Sequence, residues 1–279
     1  MNIFRSFGVL AAALLLSLCA PSALAQSQPV QVSISGNTAT AIIGAPLQPV
    51  AELHLEFEDA SGLTPSSLGI SADLVNLADP ALLARLPDLQ LNQLASAFPL
   101  LVTIEPPRAG GLAFRAVRVE IHTHALEYSV GSAYRLFKAP LHGAFSDITD
   151  EIAKGSVRAR GTTGGFSQFL VLTDLRGTAG VVAEKIVSLR RRVDALPVSE
   201  QGAFNVLVDA IENSIVNLQY DDAIANTREV AQRARARAAA GFIADQWRAT
   251  RDVQNLAGDL IAGAATLEFS VAYLRDFGK

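Results

Sequence analysis

The chain has 279 residues, with 23 lysines and arginines against 27 aspartates and glutamates, a formal charge of −4, and half of its residues hydrophobic. That length and apolar content support one large or two ordinary domains with a full-sized core. A mildly acidic balance without a basic tail argues against bulk nucleic-acid binding, which depends on clustered Lys and Arg.

Residues 1–25 read as an export leader. Arg5 and the free amine form a short basic region, Phe7–Leu18 an apolar core, and Ala23-Leu24-Ala25 an A-x-A cleavage site ahead of Gln26. The apolar run of 12 residues is too short for a bilayer span, which takes about 20. Cys19 is the only cysteine. A lipoprotein would be cut just before an acylated cysteine, but Leu18 stands there where a small residue is wanted. The expectation is an exported protein, periplasmic or secreted, cleaved after Ala25. It is stabilised by its core rather than by disulfides, and no later apolar run is long enough to span a membrane.

Val30, Val32 and Ile34 alternate with polar residues, Gly36-Asn37 marks a turn, and Thr38–Ile43 returns. Ala51–Asp59 is the clearest strand, with Leu53, Leu55 and Phe57 inward and Glu52, His54, Glu56 and Glu58 outward. Residues 60–99 are less regular, apart from a strand at Ile70–Val75 and a helix start with Asp79 as cap and Pro80 at the first position. Strands follow at Leu100–Glu105 and at Phe114–Thr123, where Val117, Val119 and Ile121 oppose Arg118, Glu120 and His122. Leu126–Val130 and Tyr134–Lys138 add two more. Ser156–Arg160 and Phe166–Thr173, joined by Gly161-Thr162-Thr163-Gly164-Gly165, read as the last hairpin. Its second strand is apolar on both faces, which predicts that Phe166, Phe169 and Val171 receive the helical half.

From Thr178 the period changes to three and four. Val182, Ile186, Leu189, Val193 and Leu196 form one stripe, and Phe204, Leu207, Val208, Ile211 and Ile215 a second. A third helix is alanine-rich and ends near Gly241, and a fourth runs from about Asp252 through Leu274. The prediction is an α+β chain with segregated halves: an antiparallel β-sandwich over 28–174 and a four-helix bundle over 178–279.

Several strings carry a family resemblance. They include Phe98-Pro99-Leu100-Leu101 with Glu105-Pro106-Pro107, His122-Thr123-His124, Phe145-Ser146-Asp147-Ile148-Thr149, Gly164-Gly165-Phe166-Ser167-Gln168-Phe169, Asn255-Leu256-Ala257-Gly258 and Thr266-Leu267-Glu268-Phe269-Ser270. In this order they resemble DUF6689, an exported bacterial family of unknown function. The resemblance implies a signal peptide, a β-rich first domain and a helical second one, and no activity. The helical half also resembles, in helix layout alone, the FIMAH module of secreted enzymes.

For chemistry, His122-x-His124 puts two imidazoles on one strand face with Glu120, and His54 lies between Glu52 and Glu56 on another strand. Three nitrogens and a carboxylate would suffice for zinc. The alternative is a polar outer face in which these groups pair across strands. Asp147, Asp150, Glu151 and Asp174 suggest calcium, but their spacing fits no EF-hand loop, and turn hydrogen bonds from Asp147 to Thr149 explain them as well. Ser156 and Ser167 lack a G-x-S-x-G elbow, and Gly164-Gly165-Phe166 lacks the lysine of a phosphate loop. Arg190-Arg191-Arg192 and the run Arg233, Arg235, Arg237 read as solvated faces paired with Glu184, Asp194 and Glu229, or as seats for an anionic polysaccharide. Trp247 reads as a plug between helices. With no catalytic residue assigned, the expected role is a non-catalytic binding or surface-associated module of the cell envelope, its partner a protein or polysaccharide. The competing role is a zinc enzyme using His122 and His124.

Overall fold

The computed structural model describes residues 25–278, so the predicted leader, Ala25 apart, lies outside the described residues. The first part of the chain contains β1 (Gln26–Gln28), β2 (Val30–Ser35), β3 (Thr38–Ala45), β4 (Gln48–Glu58), α1 (Pro65–Leu68), β5 (Ile70–Leu74) and α2 (Pro80–Leu83). It continues with β6 (Asn92–Leu94), β7 (Leu100–Ile104), β8 (Ala113–Phe114), β9 (Ala116–Glu127), β10 (Tyr134–Ala139), β11 (Ser146–Asp147), β12 (Thr149–Ala153), β13 (Ser156–Thr163) and β14 (Gln168–Asp174). Then come α3 (Thr178–Asp194), α4 (Val198–Val216), α5 (Tyr220–Ala239), β15 (Trp247–Arg248) and α6 (Leu256–Phe277).

The main strands form two antiparallel sheets. One has the order β12-β13-β9-β4-β3-β2; the other runs β1-β5-β7-β14-β10-β11, with β6 also paired to β14. The predicted alternation on β4 holds: Leu53, Leu55 and Phe57 are buried and the intervening residues reach water. These residues share a core with Val119 and Ile121 of the same sheet and with Leu100, Val102, Phe169 and Val171 of the other. Each such side chain contributes roughly 1.5–3 kcal/mol on burial. A one-residue slip would expose the whole row, so the period sets the register. Asp79 caps α2 as predicted, accepting from the Ala81 amide at 2.9 Å.

The hairpin predicted at 156–174 is not one. β13 pairs with β9 and β12, while β14 pairs with β10, β7 and β6 in the other sheet. Gly164 and Gly165 carry the chain between the sheets. They are glycines because the neighbours are close: a Cβ on Gly164 would lie 2.6 Å from the Gly258 carbonyl carbon, and one on Gly165 2.7 Å from the Trp247 ring. Nor is β14 the main seat of the later helices, which lie chiefly on β13 and β12. Phe169 and Val171 face the inter-sheet core, and Leu170 and Leu172 are covered by Leu82, Leu86, Phe137 and Phe145. Of the three predicted docking residues, Phe166 meets Trp247 of the later chain, at 5.5 Å between ring centroids.

Trp247 is a plug, but in the β core. β15 pairs with β8, placing the indole on Phe114 in a stacked arrangement at 4.9 Å. The strand predicted at Leu126–Val130 is instead the end of β9. A bulge puts Glu127 opposite Ser156 and Thr123 opposite Val157, leaving residues 124–126 without cross-strand partners.

In the later part α3 packs on α4 and α6, and α5 on α4 and α6. The predicted stripes form their core, with Val182, Ile186 and Leu189 meeting Phe204, Val208 and Ile211. Ala223, Ala234 and Ala238 let α5 lie close to α6. α6 in turn lies on β13, β12 and the start of β9, where Ala116 joins the helical core. No described helix is long and apolar enough to cross a membrane.

Candidate functional site

Two places concentrate chemistry. The first is the outer face of the six-stranded sheet. Glu52, His122 and Arg158 are opposite one another on β4, β9 and β13. His122 is nearly buried; its Nδ1 is 3.3 Å from Glu52 Oε2 and its Nε2 2.6 Å from Ser156 Oγ. His54 contacts the same Glu52 oxygen at 3.5 Å and Thr40 at 3.4 Å. The His122 hydrogen bond holds the Glu52 carboxyl below its ordinary range, with burial opposing it and His54 adding to it. His124 is exposed in the bulge, its ring 4.7 Å from that of His122.

The structure therefore brings His54, Glu52 and His122 together, with His124 alongside. Glu120 is engaged elsewhere, by Arg160 and by Arg158 at 3.7 Å. Both nitrogens of His122 already have protein partners. Among the described residues, no group of three or more His, Cys, Asp and Glu is placed to hold a metal ion. The carboxylates considered for calcium are each paired with a cation: Asp147 with Lys185, Asp150 with Arg118, Glu151 with Arg118 and Arg160, and Asp174 with Arg176. The predicted turn bond is present, with Asp147 accepting from the Thr149 amide and hydroxyl at 2.8 and 2.6 Å.

The second place is a cleft of about 510 Å³ between β11, α3 and α6. Its floor is the buried pair Lys185–Asp147, at 2.6 Å. Burial alone would raise the Asp147 carboxyl, but Lys185 holds it below its ordinary range. Arg176 at the rim is paired with Asp174 and Glu184. Arg191 and Arg192 also line the cleft, and among the described residues neither side chain makes a hydrogen bond or ion pair. Arg190, next to them, is held by Asp209 and Glu212 of α4 rather than by the predicted partners. Burial lowers the Arg192 guanidinium from its ordinary value, Asp259 opposes that and Arg191 adds to it. Gly263 is part of the design: a Cβ there would run into Arg192 Nη1.

Behind Arg192, Lys138 donates to Thr163 Oγ1 at 2.6 Å. Burial brings its amine down to about 8, with Asp259 opposing and Arg192 adding. The ordinary value is 10.5, so the folded chain sheds this proton first as pH rises above 8. Stability is thus expected to increase with pH between about 8 and 10.5. The side chain as a whole is partly exposed, so the gain across that window is on the order of 1 kcal/mol rather than the ~3 kcal/mol that ~1.4 kcal/mol per unit would give. Urea midpoints at pH 7.5 and 9.5 should rise more for the native chain than for Lys138→Met; parallel changes would contradict the shift.

Sequence reasoning flagged His122, Glu52 and His54 but missed Lys138, Asp259 and the role of Arg192. The one local sign was Gly263, a glycine inside an otherwise helix-favouring run.

These features define a class: antiparallel sheets carrying a layer of helices, with an imidazole–carboxylate–hydroxyl cluster on one sheet face and an arginine-lined cleft at the helical junction. The chain belongs to a family of unknown function, DUF6689, whose model matches residues 13–275. No curated protein and no solved structure matches it.

Proposed function

We propose that this is an exported binding module, periplasmic or secreted and cleaved after Ala25, that takes an acidic envelope polysaccharide in the cleft between β11, α3 and α6. Its architecture reads as a β-sandwich over 28–174 joined to a four-helix bundle over 178–279. One observation carries the binding reading: Arg191 and Arg192 present guanidinium groups to the cleft, and neither has an internal counter-ion bond among the described residues. Guanidinium matches carboxylate in a two-pronged geometry, which suits uronic acids better than neutral sugars. Val187, Phe145 and Pro87 supply an apolar wall for a sugar ring.

Native gels containing polygalacturonate test it. The mature protein should be retarded at low salt and not by neutral dextran. Each lost charge-assisted contact is expected to weaken binding about tenfold or more, equivalent to ~1.4 kcal/mol or above. Equal retardation of Arg191→Gln/Arg192→Gln and the native protein would overturn the reading.

A further inference from the structure

The outer sheet face holds a second chemistry, independent of the cleft. Ser156 Oγ, His122 Nε2, His122 Nδ1 and Glu52 Oε2 form a continuous relay, with 2.6 Å at the hydroxyl end and 3.3 Å at the carboxylate end. We propose that Ser156 is a nucleophile, activated by His122 and oriented by Glu52, that cleaves carboxylic esters carrying small acyl groups.

The relay has the order of roles that an activated serine needs. With the ring proton on Nδ1, Glu52 accepts from it and the Nε2 lone pair faces the serine hydroxyl. The arrangement is supplied by three neighbouring strands, β4, β9 and β13, rather than by a strand-to-helix elbow. Glu52 is the direct cross-strand partner of His122. On the other side that partner is Arg158, and Ser156 lies two residues before it on the same face. The bulge at residues 124–126 breaks the ladder beside Ser156, as bulges commonly do next to reactive side chains. Thr40 and Glu52 hold His54 on the far side, so the carboxylate is fixed from two directions.

A positive group, shared with Glu120 at 3.7 Å, also lies near the serine. Arg158 Nη1 lies 3.8 Å from where a Cβ on Gly155 would stand, next in the chain to Ser156. Its guanidinium could share the negative charge that develops on the attacked carbonyl oxygen. Lys154 and Gly155 are exposed and Ser156 is partly so, an open setting that gives a long acyl chain little to bury against. Small acyl groups follow from that openness.

The steps balance without a cofactor. Ser156 Oγ bonds to the acyl carbon while its proton passes to His122 Nε2. The ester C–O bond then breaks, and the alcohol leaves with that proton. Water adds to the acyl-serine, gives a proton to His122, and releases the carboxylic acid as Ser156 recovers its hydrogen.

A fluorophosphonate probe tests the nucleophile directly, since Oγ–P formation expels fluoride and sends the serine proton to His122. The mature protein should gain one adduct, mapped by peptide mass spectrometry to Ser156, and should hydrolyse p-nitrophenyl acetate. Ser156→Ala should abolish both. His122→Gln should slow both by about 100-fold or more, the usual loss on removing a general base. Glu52→Gln, which preserves the shape of the site, should slow labelling without lowering the melting temperature as a core mutation would, and serves if Ser156→Ala does not fold. Absence of an adduct on the native protein, an adduct mapped elsewhere, or a His122→Gln rate within about threefold of native would overturn the proposal.

Discussion

Replacing Lys185 by Met is expected to destabilise the protein by about 3–5 kcal/mol, the cost of leaving a buried charge without its partner. Lys185 Nζ is surrounded by Asp147 Oδ2 at 2.6 Å, Thr266 Oγ1 at 2.6 Å, Ser270 Oγ at 2.8 Å and the Thr266 carbonyl at 3.2 Å. Those groups belong to β11 and α6, while the lysine comes from α3, so one ammonium ties a sheet edge to two helices. Its loss strands the Asp147 carboxylate at 2% side-chain exposure. Melting temperature should fall on the order of 10 °C for a chain of this size. Adding Asp147→Asn to Lys185→Met removes the stranded charge and should recover a good part of the loss, because the new amide oxygen can still accept from Thr149. A Lys185→Met melting temperature within about 2 °C of native, roughly 1 kcal/mol or less, would show that the pair contributes little to stability.

Asn255→Ala should cost as much, for a different reason. Asn255 is almost wholly buried and all of its amide is used. Its Oδ1 accepts from the Gly258 amide at 2.9 Å, capping α6, and its Nδ2 donates to the carbonyls of Arg115 at 2.6 Å and Gly164 at 2.8 Å. The cap is worth about 1 kcal/mol. Two buried carbonyls left without a donor add roughly 1–3 kcal/mol each. The total is about 3–7 kcal/mol, read as a shift in the urea midpoint. Asn255→Asp separates the two parts: it keeps the cap acceptor but turns an oxygen toward both carbonyls, so it should fare no better than Ala. Were Asp to match the native chain, the two carbonyl contacts would contribute nothing.

How far the sequence carries depends on the distance over which each feature is decided. The faces of β4 were legible because alternation is a property of neighbouring residues, and the Asp79 cap because it involves three. Gly161 to Gly165 misled because glycine suits both a tight turn and a close approach. What decides between them is Gly258 and Trp247, far along the chain. The same holds at the candidate sites. His122 and Glu52 stood out by type and face, but the bulge that fits Ser156 to His122 has no local signature. Arg192 looked like one of three arginines on a wet helix face. Only the packing of α6, with Gly263 under the guanidinium, distinguishes it from Arg190.

The pairing of β15 with β8 bears on the order in which the molecule can assemble. Trp247 and Ala249 belong to the same buried cluster as Phe57, Phe114 and Phe166. When the last strand of the sheets, β14, has been made, this aromatic nest still lacks its lid, which arrives only after α3, α4 and α5. The early strands can pair beforehand, but their core closes late, by a contact between positions more than a hundred residues apart. Such long-range closure slows folding. It also makes the β-rich half dependent on a segment that sequence order would assign to its neighbour.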